Sequence, residues 1–358
     1  MRNKVLLCIA LSIAFEFAVS TAFPTASRAF DANERCGCLI VGVLGKAYVK
    51  AARSPRFIPL KLNMAVFGGT NLHVTESSKA MLACGTATRE LTSGVHPVPC
   101  TPGDPGPIWM GTRIVDPSMI RGGADFPRLL SPRKGALLNA HPTFRWSPVA
   151  NAAQYSIVVR GGAVDWSAIV KSTEIVYPNS APPLVPGPAY EVTIFAARKG
   201  NSDDEGAEGL EFRILSPQDA EKVKAREIEI KNLNLEAASK QLLIAYLYAS
   251  YDLIAEAITL LKDASADQES SRALAELYIR SLLLDKAKEQ YAKVVEMAAE
   301  DMPGRAAAYD RMGQIYEALR DKDQATQKYQ NALKLYVDLE DWNKVSEFAI
   351  LLSKLQKP

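Results

Sequence analysis

The sequence predicts a multidomain chain: an all-β N-terminal half, made of a small β domain plus a sandwich, followed by an all-α array of helical hairpins. Three observations predict it. Of the 21 prolines only Pro303 and Pro358 lie beyond Pro217, and the only glycines beyond that point are Gly304 and Gly313. Both residue types break helices and build turns, so the change in punctuation marks a change of fold class. Short runs of β-branched and aromatic residues at close spacing fill the region before it. Behind it, Ala, Leu and Tyr recur at helical spacing.

A chain of 358 residues with 48% hydrophobic content has room for more than one core. The net charge of +2, with Lys and Arg scattered, lacks the clustered basic footprint of a nucleic-acid binder. The first residues, Met1 to Lys4, form a positive n-region, and Val5 to Ala14 an apolar h-region of signal-peptide length. Residues 1–29 therefore read as a signal peptide, cleaved after Ala29 of Ser27-Arg-Ala29 because Pro24 would break the h-region helix upstream. The alternative is an uncleaved anchor over Val5 to Phe23, in which Glu16 costs about 2.5–3.5 kcal/mol near a bilayer centre. A periplasmic or secreted chain is the expectation.

Removing that segment leaves Cys36, Cys38, Cys84 and Cys100, an even set in an oxidising compartment. The expected disulfide is Cys84–Cys100, whose loop is worth about 3 kcal/mol in the chain-entropy model. The pairing of Cys36 and Cys38 stays open. A four-thiolate zinc site is the rival, and Cys-x-Cys is not the usual zinc spacing.

Residues 36–100 carry β-type runs at Leu39 to Gly45, Ala47 to Lys50, Phe57 to Leu60, Met64 to Phe67, Leu72 to Val74 and Lys79 to Ala83, with turn residues such as Gly68 to Asn71 between them. Their order resembles the FecR-like β domain of exported bacterial proteins: a Gly-x-Val-type first strand, a Lys/Arg turn, and Gly-Gly-Thr-Asn-Leu-His-Val74 where that family often has Gly-Asp-x-Leu-x-Val. Residues 101–126 are rich in proline and glycine and read as a linker.

Residues 127–216 hold further runs, among them Thr143 to Trp146, Gln154 to Arg160, Tyr190 to Ala197 and Leu210 to Leu215. Phe144 and Trp146 share a face, as do Tyr155, Ile157 and Val159, while Arg145 and Ser156 face the other way. Aromatics on the alternating apolar face belong to a core, where each buries about 150–250 Å². Trp166, outside any long apolar run, is the better candidate for an exposed aromatic, although packing on an edge strand explains it more simply. The layout resembles an immunoglobulin or fibronectin type III-like sandwich, with Trp146 on an early strand and Leu184 to Tyr190 as the turn and tyrosine that lead into strand F.

Residues 217–358 repeat. Ile244-Ala-x-x-Tyr248 with Ala257 and Leu261 forms one unit, Leu274-Ala-x-x-Tyr278 with Ala287 and Tyr291 a second, and Met312-Gly-x-x-Tyr316 with Ala325, Tyr329 and Ala332 a third. These units resemble the tetratricopeptide repeat, although their spacing departs from its period of about 34 residues. Small residues let helices approach and tyrosines fill the seams. Ser216-Pro-Gln-Asp219 predicts a capped helix through about Asn232, and Trp342 to Leu355 a closing helix.

Catalytic constellations are missing from the pattern. His73, His96 and His141 sit in turn-rich segments without metal-ligand spacing, no Gly-x-Ser-x-Gly occurs, and Gly42 to Ala47 lacks the length of a phosphate loop. Asp203-Asp-Glu205 reads as a solvated hairpin loop, not as a calcium site. The expectation is a non-enzymatic scaffold, without cofactor or metal, that binds a protein or peptide in the groove of the array, with no nucleic acid and no membrane contact beyond the signal segment. The tetratricopeptide resemblance places the groove-lining positions at Tyr246 in the first repeat, Arg272, Glu276 and Arg280 in the second, and Asp310, Gln314 and Glu317 in the third. Their mixed charge suits an extended peptide or a partner helix. The alternatives are a cell-envelope carbohydrate binder acting through the β domains and an envelope signal-sensing component.

Overall fold

The computed structural model describes residues 37–50, 55–99, 106–107, 126–196, 210–262 and 267–355. The expected signal peptide, Cys36, Cys100, the acidic run at 203–205 and nearly all of the expected linker fall outside them. All described residues belong to one unit, Ala32–Pro358. No described helix is long and apolar enough to cross a membrane.

The first β region contains Gly37–Leu44 (β1), Ala47–Lys50 (β2), Ile58–Pro59 (β3), Ala65–Phe67 (β4), Asn71–Val74 (β5), Lys79–Cys84 (β6), Ala87–Leu91 (β7) and Gly94–Pro97 (β8). They build two four-stranded sheets, ordered β4-β1-β6-β7 and β3-β2-β5-β8. Alternation sends Leu72 and Val74 inward and Asn71 out, and Ile40, Val49, Leu72 and Leu82 close one core between the sheets.

Register decides the disulfide. β1 and β6 run antiparallel with Leu39 opposite Ala83, which brings Cys38 beside Cys84 at a Cα separation of 4.4 Å, and these two are bonded. The expected Cys84–Cys100 pair is therefore corrected: Cys84 belongs to Cys38. Loop length ranks closures by entropy, but a cross-strand neighbour at this distance is already in bonding position when the sheet forms.

The second β region contains Leu129–Ser131 (β9), Gly135–Leu137 (β10), Thr143–Trp146 (β11), Tyr155–Gly161 (β12), Val164–Val170 (β13), Glu174–Val176 (β14), Ala189–Ala196 (β15) and Glu211–Ile214 (β16). A five-stranded sheet, β10-β16-β15-β12-β13, faces a three-stranded one, β14-β11-β9. Phe144, Trp146, Tyr155, Tyr190 and Phe212 fill the space between them. The buried tyrosines keep their hydroxyls bonded: Tyr155 accepts the Val149 N–H at 2.9 Å, and Tyr190 accepts from Val185 N–H at 2.8 Å while donating to its carbonyl at 3.0 Å. Trp166, on the edge strand β13, packs edge-on against Tyr177 at 4.9 Å between ring centres.

The helices are Pro217–Asn232 (α1), Ala237–Ser250 (α2), Ile254–Lys262 (α3), Gln268–Arg280 (α4), Leu284–Met297 (α5), Met302–Ala318 (α6), Lys322–Asp338 (α7) and Trp342–Leu355 (α8). The expected cap holds: Ser216 accepts the Asp219 N–H and Pro217 stands in the first turn. Four helix ends repeat one device. Asp252, Leu282, Arg320 and Glu340 take left-handed conformations, and the next N–H, of Leu253, Leu283, Asp321 and Asp341, donates to the carbonyl of Tyr248, Tyr278, Tyr316 and Tyr336. This αL closure satisfies orphan carbonyls and leaves three residues between one helix and the next. Stacking then buries Ala275, Ala287, Ala325, Tyr291 and Tyr329 completely, as the small-and-tyrosine pattern requires. At Gly313 an added Cβ would stand 2.4 Å from the Tyr329 ring, so only glycine lets α6 and α7 approach this closely.

Candidate functional site

The expected inner face of the array is that of α2, α4 and α6, and buried charged and polar groups link these helices to one another. Glu269 binds Arg272 one turn along α4 through two nitrogens and receives the Tyr246 hydroxyl from α2. Glu276 receives the Tyr291 hydroxyl from α5 and a fork from Arg311 on α6, Nε at 2.9 Å and Nη2 at 2.7 Å. Arg311 extends the chain to Gln314 at 2.9 Å, and Gln314 to Asp310 at 2.8 Å. Tyr329 donates to Glu317 at 2.8 Å. A polar ladder thus ties successive hairpins together.

Burial tunes these groups. Desolvation and the Glu269 carboxylate push the Tyr246 hydroxyl well above its ordinary range. Burial alone would pull the Arg272 guanidinium down, but Glu269 overrides it and holds Arg272 above its usual value; Arg311 is held up against burial by Glu276. Asp310 is raised by burial, against the Gln314 hydrogen bond that lowers it. Both guanidinium ions stay charged, which their bidentate carboxylates require.

The first β region covers one end of this face. Leu39 and Ala83 join the core cluster of the helices. Asn63 donates to Asp267 at 3.0 Å and accepts the Ser239 hydroxyl at 2.6 Å, Phe67 lies under the Arg272 guanidinium, and Lys61 reaches Glu300 at 3.8 Å. The sandwich holds the hairpin turns. Gly135, at φ +101°, brings β10 so close that a Cβ would meet the Asp252 carbonyl at 2.3 Å, and the Ala136 N–H donates to that carbonyl at 2.8 Å. Arg133, 2% exposed, drives into the α4–α5 turn and donates to the Ser281 carbonyl at 2.6 Å.

The predicted residues therefore separate. Tyr246 and Glu276 are buried, at 1% and 2% exposure, with their polar groups bonded inside the protein. Arg272 is engaged by Glu269 and Phe67. Asp310, Gln314 and Glu317 share the α6 surface, half-buried, and Arg280 is exposed, its guanidinium only 3.4 Å from the Ala249 carbonyl. Arg311, Glu269, Arg133 and Asn63 escaped sequence reasoning: Arg311 falls outside the groove-lining positions of the repeat, and Asn63 acts across a domain boundary. Among the described residues no three His, Cys, Asp or Glu side chains gather as a metal site.

A second exposed feature lies on the outer face of the sheet β3-β2-β5-β8. Phe57, 49% exposed, meets His73 edge-on at 4.6 Å and Tyr48 at 6.5 Å, with the Lys50 ammonium 5.3 Å from its ring centre.

No family model matches the chain, and no curated protein matches it. Among solved structures it is similar to BtubC (BKLC) from P. vanneervenii, at 15% identity and TM-score 0.29 over 39% of this chain and 72% of that one. It is also similar to a Podosopora anserina putative kinesin light chain with nearly identical TPR-like repeats, at 14% identity and TM-score 0.29 over 39% of this chain and 92% of that one.

Proposed function

We propose that this protein is an exported, non-catalytic scaffold that binds a partner protein or peptide on the inner face of its tetratricopeptide-type array. The observation that carries the reading is the uneven cover of that face. The first β region lies over α2 and α4, whereas Arg280 is exposed and Asp310, Gln314 and Glu317 stay half-buried towards α8. A solenoid that presents mixed polar side chains along a curved face suits an extended peptide, held by hydrogen bonds and ion pairs. The β domains, in this reading, immobilise the array. The signal segment and the even cysteine set support delivery to the periplasm or beyond it.

The test is site-specific photocrosslinking in intact cells. A crosslinker at Arg280 or Glu347 should capture one partner reproducibly, identified by mass spectrometry, and the same group at Gln327 or Gln330 of α7 should not. Equal capture from both sets would refute the assignment. Arg280→Glu should abolish capture with helicity intact, whereas Arg272→Glu is uninformative because it also breaks the Glu269 pair.

A second reading, an envelope carbohydrate binder, is favoured by the half-exposed Phe57 beside Tyr48 and His73, aromatic rings being ready stacking surfaces. Trp166 carries this reading less well, since its ring packs on Tyr177. Phe57→Ala in the full chain should reduce retention on purified envelope polysaccharide; undiminished retention removes this reading.

A further inference from the structure

Where the sandwich meets α3, α4 and α5 lies a partly enclosed pocket of about 100 Å³. Among the described residues, every charged side chain on its wall is a cation. Arg133 and Lys134 reach it from the β9–β10 loop, Arg145 from β11, Lys262 from the last residue of α3 and Lys286 from the first turn of α5. The volume holds a few waters or one small ion, and falls below the ~300–1,000 Å³ of a drug-sized ligand site. Lys262, Tyr278 and Lys286 also line a wider neighbouring hollow of about 290 Å³.

Two of these cations are engaged inside the protein. Arg145 is paired with Glu174 at 2.9 Å. Arg133 donates to the Leu129 and Ser281 carbonyls at 2.5 and 2.6 Å, which fixes one wall of the pocket. The ammonium groups of Lys134, Lys262 and Lys286 make no ion pair or hydrogen bond among the described residues. For Lys262 there is a local reason, since it ends α3 at the negative end of the helix dipole. Lys286 has no such reason. It stands half-buried at the positive end of α5, and its sequence neighbour Asp285 turns to Arg128 and Lys288. Its ammonium faces the Tyr278 ring, 5.8 Å from the centre. Burial lowers the Lys286 pKa below its ordinary value, and Lys262, Arg128 and Arg133 push the same way, against Glu289. Like charges gathered from three elements repel one another, and partial desolvation strengthens the repulsion; a bound anion would relieve both costs.

We propose that this pocket binds a tetrahedral dianion of the phosphate class, held between the ammonium groups of Lys134, Lys262 and Lys286. The sign of the lining selects an anion, and the volume selects a small one. Cations converging from three elements suit a compact group with acceptor oxygens on several sides and about two negative charges, as a phosphate has near neutral pH, more than a planar monoanion. Lysine binds such a group as a point charge. The wider hollow beyond Lys286, with Ser271, Gln290 and Lys293 on its wall, has room for whatever an esterified phosphate carries. None of the pocket's residues belongs to the groove-lining positions, so occupancy here is separate from partner capture there. A bound anion would tie the sandwich loop to α3 and α5.

The experiment titrates the full chain with inorganic phosphate, methyl phosphate and acetate at constant ionic strength. Amide chemical shifts of Lys262 and Lys286 should move and saturate with phosphate, and the unfolding temperature should rise with its concentration, as for any ligand that binds the native state alone. Lys134→Met, Lys262→Met and Lys286→Met keep an unbranched side chain without the charge. Each should weaken phosphate about tenfold, the order expected for one lost charge-assisted hydrogen bond, and acetate should bind the parent at least about tenfold more weakly than phosphate. Lys224→Met on α1 should leave the affinity unchanged. In phosphate-free buffer Lys286→Met should unfold at the same temperature as the parent or above it, because it removes the repulsion. Tighter binding of methyl phosphate would mark an esterified ligand that reaches the wider hollow, and equal or weaker binding would mark the free anion; both accord with the proposal. The proposal is overturned if the shifts fail to saturate, if acetate matches phosphate, or if Lys224→Met weakens binding as much as Lys286→Met. It is equally overturned if Lys286→Met is destabilised without phosphate, because its ammonium would then be satisfied within the fold.

Discussion

Glu276 and Arg311 give the sharpest test of whether the inner face holds the array together. Their side chains are 2% and 4% exposed, and the fork between them spans α4 and α6. Removing one partner of such a pair leaves a desolvated charge, at a cost of about 3–5 kcal/mol. Glu276→Gln leaves Arg311 facing a neutral amide; Arg311→Met leaves the carboxylate with the Tyr291 hydroxyl as its one hydrogen-bond donor among the described residues. Each single variant should therefore lose about 3–5 kcal/mol in urea unfolding followed by helical circular dichroism. The double variant Glu276→Leu with Arg311→Met removes both charges, and it should recover much of the loss, since apolar replacement of a whole buried pair is often neutral. A double-mutant cycle would read the difference as coupling. Single variants that unfold within about 0.5 kcal/mol of the parent would refute the argument, because that range is typical of exposed surface substitutions.

Three further outcomes follow from other places in the structure. Gly313→Ala should destabilise by about 1–3 kcal/mol in the same assay despite alanine's better helix propensity, because the added Cβ overpacks the Tyr329 ring. Cys84→Ser opens a closure spanning 46 residues of sequence, worth about 4 kcal/mol in the chain-entropy model, and should lower the midpoint of the β signal more than that of the helical signal. Glu256 has a raised pKa in the folded protein. Its contribution is therefore fully present below the unfolded value, near 4.5, and is lost as pH rises through the folded one. Glu256→Gln should flatten that decline, and titration of unfolding midpoints from acid to neutral pH would show an unchanged slope if the carboxyl were solvated.

The helical architecture was legible because its causes are local. Ser216 and Pro217 announce α1, Trp342–Leu355 forms the final helix, and the positions of Ala275, Gly313 and Tyr329 mark close approach and the seam it leaves. Alternation likewise placed Phe144, Trp146 and Tyr155 in a core. What escaped the sequence was register and docking. The disulfide depends on β1 lying beside β6, and neither loop length nor cysteine spacing encodes that neighbour. Tyr246 and Glu276 lie on α2 and α4, but whether such a position meets water, a partner or another part of the chain depends on Asn63, Phe67 and Arg311, which lie far away in sequence or outside the repeat signature.

That dependence makes the β regions part of the array's stability. An end repeat of a solenoid exposes the seam its missing neighbour would cover, and short arrays need caps. Here Leu39 and Ala83 are buried in the same cluster as Leu242 and Tyr246, Asn63 bonds Ser239 and Asp267, and β10 and Arg133 grip two hairpin turns. A chain trimmed to residues 217–358 uncovers apolar side chains worth about 1.5–3 kcal/mol each when fully buried, and leaves Ser239 and Arg272 without their partners from the β region. It should keep helical circular dichroism but unfold over a broader range and at lower urea than the same helices in the full chain. Amide exchange should be fastest in α2 and α4 if the cover is what is missing. Identical midpoints, or loosening confined to α7 and α8, would mean that the β regions merely rest against an array that stands alone.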